Sequence, residues 1–163
     1  MVRLGTMGRL LLLLTLANGA PVIAKKILGK HLSYPVDTGT TAPDDEALFG
    51  RSKTIRGVLL SILLTSIGAL FLGLPLRTGA LIGGGAMAGD LFSSFCKRRM
   101  HLPSSSKALG LDQIPESLFP LLFCRKALSL TIKDIVVAVA GFFVGELALS
   151  QILYKVRLRD EPY

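Results

Sequence analysis

Residues 58–76 read VLLSILLTSIGALFLGLPL, and this stretch decides the class of the protein. It has no charged side chain and no polar face of the kind a helix needs against water. At 1.5 Å per residue it approaches the thickness of a bilayer's hydrocarbon core. On either side of it, three further apolar runs approach or exceed spanning length and a fifth is shorter, at about 9–25, 57–75, 77–96, 111–125 and 134–154 in all. Half of the 163 residues are hydrophobic, and mean hydropathy is +0.55. These features predict an all-α, polytopic integral membrane protein with about five transmembrane helices, residues 1–163 forming one membrane domain.

The polar remainder sets limits on function. Cys96 and Cys124 are placed toward opposite membrane faces, which argues against a disulfide. The net charge of +8 speaks for orientation and anionic headgroups, not nucleic acid, because no soluble basic domain is present. The N-terminus resembles a signal peptide in having Arg3 and Arg9 before Leu10–Leu14, but Pro21 directly after Ala20 disfavours cleavage, so a retained first helix is expected. With the N-terminus outside, thirteen Lys and Arg fall in cytoplasmic segments and six outside. The 26–56 and 97–110 loops then share the cytoplasmic side, where a polar cavity is expected.

At the end of the third run stands GDLFSSFCKRR, residues 89–99. On a helix, Asp90, Ser94, Lys97 and Arg98 share one face by their i, i+4, i+7, i+8 spacing, and Gly79, Gly83 and Ala86 extend that face. An acid inside the apolar boundary is costly and suggests function. An acid next to cations suits a metal–polyphosphate site, the carboxylate for Mg²⁺ and Lys or Arg for phosphate oxygens. The plainer reading is an interfacial anchor in which Lys97–Arg99 snorkel and Asp90 pairs with one of them. GLDQIPESLFP, 110–120, brings Asp112 in from the same face, either as a second carboxylate or as an N-cap followed by Glu116 in the first turn. FGRSKTIRG, 49–57, adds Arg51, Lys53 and Arg56, with Thr54 able to donate to a phosphate; basic residues before a span are also common topology signals. In ANGAPV, 17–22, Gly19 and Pro21 are expected to break the first helix, and Asn18 offers an amide to a base or ribose edge. Asp37, in YPVDTG, either ligates metal or turns the chain. Asp44, Asp45 and Glu46 read as a solvated acidic turn, and Glu146 either as a functional acid or, the favoured reading, as an interhelical contact with a Ser or Thr.

In order, NGAP, PVD, FGxxKTxRG, GDLxxSFxKRR and LDQ resemble the CDP-archaeol synthase family of membrane cytidylyltransferases, over residues of about 17–116. The GD-xx-S-xx-KR piece is also similar to CDP-diacylglycerol synthases, whose long HGG-containing signature is replaced here by LDQ. The resemblance implies Mg²⁺-dependent transfer of CMP from CTP to a lipid phosphate in the membrane, releasing pyrophosphate. It implies Asp90, Asp112 and Lys97 as catalytic residues, with Asp90 and Asp112 holding metal. Lys53, Thr54, Arg56 and Arg98 would bind phosphates, and Asn18 and Ser94 would orient the ligand. The wording TTAPDDEALFGRSKT and IPES resembles a bacterial branch, which implies a bacterial inner membrane with the site facing the cytoplasm. The acceptor stays open among a geranylgeranyl ether phosphate, phosphatidic acid and another polyprenyl phosphate lipid. Competing readings are a CDP-alcohol phosphotransferase, whose acid array is missing, and a small transporter or non-catalytic scaffold. A transporter would show an inverted repeat and midplane charges; here the charges gather at one face.

Overall fold

A computed structural model describes residues 4–106 and 108–155. Arg3, Lys107, Arg157 and Arg159, used above for orientation, lie outside the described residues. The described residues form five helices: α1 (Leu4–Leu28), α2 (Ile55–Phe71), α3 (Leu76–Arg99), α4 (Gln113–Cys124) and α5 (Ile132–Lys155). They follow the five apolar runs. The β structure among the described residues amounts to two isolated bridges in the α1–α2 loop, Pro35 with Thr54 and Thr41 with Ala47.

Helix α2 stops at Phe71, short of the predicted end. Gly73 adopts φ +70°, a conformation natural to glycine, and Pro75 then opens α3 from its N-cap position. By length and composition, α1 over Gly5–Leu28 is the one helix among the described residues long and apolar enough to cross a membrane; α2 is apolar but shorter. Glycines and the terminal Lys97–Arg99 cluster dilute the apolar character of α3.

The first helix is not broken at Gly19–Pro21, contrary to the sequence expectation; α1 runs through Pro21 without interruption. Proline lacks the N–H that would have bonded the Ala17 carbonyl four residues earlier. Ser61 of α2 replaces that donor, its Oγ 2.8 Å from the Ala17 oxygen. A hydroxyl from the neighbouring helix thus satisfies the carbonyl that proline leaves free, as apolar surroundings require.

Helix α3 is the centre of the bundle and packs most extensively against α2 and α4. Two glycine pairs permit this. A Cβ on Gly79 or Gly83 would lie 2.5 Å or 2.8 Å from Cα atoms of α2, at Ser66 and Ile62. A Cβ on Gly85 would lie 2.5 Å from the Pro120 Cα of α4, and one on Gly89 2.2 Å from the Pro115 oxygen. Backbone-to-backbone approach of this kind, through small-xxx-small spacing, is how helices associate where lipid removes the hydrophobic drive.

Polarity is distributed inside-out. Ser61, Thr65, Ser93, Ser94, Lys97, Arg98, Glu116 and Ser117 are buried, while Leu59, Phe71, Val136 and Val144 face outward. An apolar surface around a partly polar interior suits a lipid solvent. An apolar core of Leu10, Leu13, Leu14, Ile82 and Leu121 fills one end of the bundle. Cys124 lies there against the Thr78 carbonyl, at the opposite end of α3 from Cys96.

Candidate functional site

At the other end of the bundle the helices part around a cavity of about 1190 Å³. Asn18, Lys53, Thr54, Arg56, Asp90, Ser94, Lys97, Arg98 and Asp112 all line it. Residues from α1, α2, α3, α4 and the two long loops are thus gathered in one place. Seven lining side chains are cationic and four are acidic, so the wall carries a positive surplus suited to a polyanion.

The acids and lysines are matched in pairs. Lys53 Nζ bonds Asp90 Oδ1 across from the loop to α3. Lys97 Nζ lies 2.6 Å from Asp112 Oδ1 and 2.8 Å from the Ser106 carbonyl. Asp112 stands at the head of α4 but makes no side-chain cap. Its Oδ2 accepts instead from the Ala108 amide, 2.9 Å away. The carboxylate therefore points toward Lys97 and the α3–α4 loop rather than down its own helix.

The other predicted residues have mixed commitments. Ser94 is buried, and its Oγ has no partner among the described residues. Arg98 donates to the Pro103 carbonyl at 2.5 Å, while its buried Nε has no partner among the described residues. Arg56 is a tether: its guanidinium bonds the His31 carbonyl and, at 2.7 Å, the Gly29 carbonyl just beyond α1. Asn18 donates to the Leu14 carbonyl at 3.1 Å, which leaves its amide oxygen to accept. Thr54 is the N-cap of α2, its Oγ1 accepting from the Gly57 amide at 3.3 Å; its own proton remains to donate.

The loops that close this end are built around two residues. Asp37 is buried, and its carboxylate accepts from the amides of Gly39 (3.2 Å), Phe49 (3.0 Å) and Gly50 (2.9 Å). Burial pushes this carboxyl up, but those amides outweigh it and hold it below its ordinary value. Asp37 therefore ties the chain together, the second of its two sequence readings. Arg99 bonds Asp44 Oδ1 at 2.9 Å and the Ala47 carbonyl at 2.9 Å. The acidic turn expected to be solvated is thus docked on the end of α3, and the two loops share one side of the bundle.

Two further acids line the cavity, Glu116, read from the sequence only as part of the first turn of its helix, and Glu146. Glu116 of α4 is buried and lines the cavity together with Asp90 and Lys53. The signal was present: Glu116 follows Asp112 by four residues, on the same helical face. Glu146 of α5 lines the cavity as well. Among the described residues no cluster of three or more His, Cys, Asp or Glu could hold a metal. Asp90, Asp112 and Glu116 nevertheless offer hard oxygen donors to one cavity. That donor set fits Mg²⁺, which binds through one or two carboxylates and completes its shell with water and substrate phosphates.

The sequence model of the CarS-like CDP-archaeol synthase family matches residues 72–163. CDP-archaeol synthase of Pyrobaculum islandicum is 32% identical over 152 residues, covering 90% of this chain and 91% of its own. That of Pyrococcus furiosus is 31% identical over 157 residues, covering 90% of each. A solved structure described as an intramembrane enzyme for archaeal membrane lipids biosynthesis superimposes with a TM-score of 0.73 at 34% identity, covering 86% of this chain and 90% of its own. These relatives are archaeal and lend no support to the bacterial assignment. The ordered motifs, the five-helix fold and the match in sequence and structure agree: the chain belongs to the CDP-archaeol synthase family.

Proposed function

We propose that the protein is a cytidylyltransferase that moves CMP from CTP to a lipid phosphate, with its five helices embedded in the cell membrane and the cavity opening to the cytoplasm. The observation that carries this reading is the convergence of basic, acidic and hydroxyl side chains from both loops and five helices on one cavity. Such a wall suits phosphoryl-type transfer, which needs positioning and charge neutralisation more than a covalent nucleophile. The relatives' name points to an isoprenoid ether glycerol phosphate as acceptor.

In the reaction, an oxygen of the lipid phosphate attacks the α-phosphorus of CTP. The bond from that phosphorus to the bridging oxygen of the β-phosphate breaks, and its electron pair leaves with pyrophosphate. Lys53 and Lys97 exchange their carboxylate partners for phosphate oxygens, and Arg98 adds charge at the same wall. Ser94 and Thr54 donate hydroxyl protons to the phosphates, and the Asn18 amide orients the nucleoside. Asp90 and Asp112 are the residues that would hold Mg²⁺. When bound, that ion supplies neutralisation of the triphosphate charge. The apolar outer faces of the helices leave the acceptor's tails in the bilayer while its phosphate reaches the cavity.

The test is turnover by purified protein given radiolabelled CTP, Mg²⁺ and a panel of lipid phosphates. The expected result is a CDP-lipid and an equal amount of pyrophosphate, with the ether lipid as preferred acceptor. Protein that neither turns over nor binds CTP overturns the reading and favours a transporter or scaffold. Turnover unchanged by chelation removes Mg²⁺ from it.

A further inference from the structure

Of the four cations read as phosphate ligands, Lys53, Arg56, Lys97 and Arg98, Lys53 is the one carried by a loop. Lys97 and Arg98 ride on α3, whose backbone is fixed by helical hydrogen bonds and glycine-mediated packing. Lys53 precedes α2, and the loop backbone must place it. The bonds that do so converge on Asp37. Asp37 Oδ2 accepts from the Phe49 and Gly50 amides. The Gly50 carbonyl then accepts from the Lys53 amide at 3.2 Å, and the Lys53 carbonyl accepts from the Val36 amide at 2.8 Å. Two residues on, the Ile55 amide bonds the Tyr34 carbonyl at 3.0 Å. Lys53 is therefore clamped on both sides by the segment that carries Asp37, and its side chain crosses to Asp90. Gly50 must remain glycine-like for this, with φ at +88° and an added Cβ 2.9 Å from Ser104 Oγ.

We propose that Asp37 is a positioning residue for Lys53: by holding the Phe49 and Gly50 amides it sets the place from which Lys53 reaches Asp90 and the incoming nucleotide. The geometric half of this stands on the loop alone; the nucleotide half rests on the cytidylyltransferase reading. The carboxylate accepts all three amides through two charged oxygens; Asp37→Asn removes the charge that strengthens these bonds, keeps one acceptor oxygen and sets an NH2 group against the Gly39 amide or against the Phe49 and Gly50 pair.

The experiment uses the full chain in detergent and two readouts. The first is acetylation of individual lysines by an amine-reactive reagent without nucleotide, with Lys97 as internal reference. The second is the Kd for CTP in Mg²⁺, measured for wild type, Asp37→Asn, Lys53→Ala and the double variant. Asp37→Asn should raise Lys53 labelling several-fold while Lys97 labelling stays put; loosening of the whole fold would raise both. Lys53→Ala should weaken CTP binding by about tenfold or more, the scale of one charged hydrogen bond. Asp37→Asn should reproduce most of that loss, and the double variant should bind no worse than Lys53→Ala. Gly50→Ala strains the same backbone from another direction and should give the same pattern if Asp37→Asn does not fold. Unchanged Lys53 labelling in a folded variant overturns the inference, as do losses that multiply in the double variant. Selective Lys53 labelling in a protein with no CTP affinity supports the positioning role and overturns the functional reading instead.

Discussion

Gly89→Ala should damage both the stability and the site of this protein. Gly89 immediately precedes Asp90 on α3 and faces the first turn of α4. A Cβ there would lie 2.2 Å from the Pro115 oxygen, 2.4 Å from its carbonyl carbon and 2.6 Å from the Glu116 nitrogen, where ordinary contact begins at 3.4 Å. All three obstacles are backbone, so no side chain can turn aside. The two helices must separate locally by about 1 Å, and overpacking of this kind costs about 1–3 kcal/mol. The displacement falls between Asp90 on one helix and Asp112 and Glu116 on the other. Misplacing reacting groups by about 1 Å lowers rate by about a hundredfold. Gly84→Ala is the control, since nothing lies within 4 Å of its Cβ position. It should be neutral or stabilise α3 by about 0.5–1 kcal/mol. The assay is kcat/KM for CDP-lipid formation together with the unfolding temperature in detergent. Gly89→Ala with wild-type values of both would refute the close approach of α3 and α4 and its role in spacing the carboxylates.

Other predictions follow from single contacts. Ser61→Ala should cost about 1–2 kcal/mol by orphaning the Ala17 carbonyl, and adding Pro21→Ala should recover most of it by restoring a backbone N–H; thermal unfolding of the three variants decides, and equal loss in the double variant refutes the pairing. Asp90→Asn and Asp112→Asn should each lower turnover at least a hundredfold in protein that still folds, as judged by circular dichroism and initial rates; near-full activity removes that carboxylate from the site. Asp37 has its folded-state value below the ordinary 3.8, so its stabilisation is complete above the unfolded value and is lost as pH falls through the folded one. The gap in unfolding temperature between wild type and Asp37→Asn should therefore hold steady above about pH 5 and close below about pH 4; a gap constant down to pH 3 contradicts the ionised, amide-bound carboxylate.

The sequence by itself determined the helices and marked much of the cavity's polar lining. Apolar runs such as 58–76 leave few options besides a helix shielded from water, and each run appears as a helix with ends shifted by a few residues. Charged and hydroxyl residues at one end of those runs are costly unless they face one another or a ligand, so Asp90, Ser94, Lys97 and Asp112 stood out before any packing was known. Only the tertiary structure decided which group answers which. Lys53 meets Asp90 and Lys97 meets Asp112, although spacing alone allowed Asp90 to pair within its own helix. Glu116 became a cavity acid because Gly85 and Gly89 bring α4 hard against α3. Pro21 left α1 intact because Ser61 stands opposite the freed carbonyl. Asp37 became the clamp of a loop because the amides of Phe49 and Gly50 return to it from more than ten residues away. Each of these outcomes depends on the rotation and separation of packed elements. Local sequence fixes the periodicity of a helix but not which neighbour its faces will meet, and that is settled when the backbones close on one another.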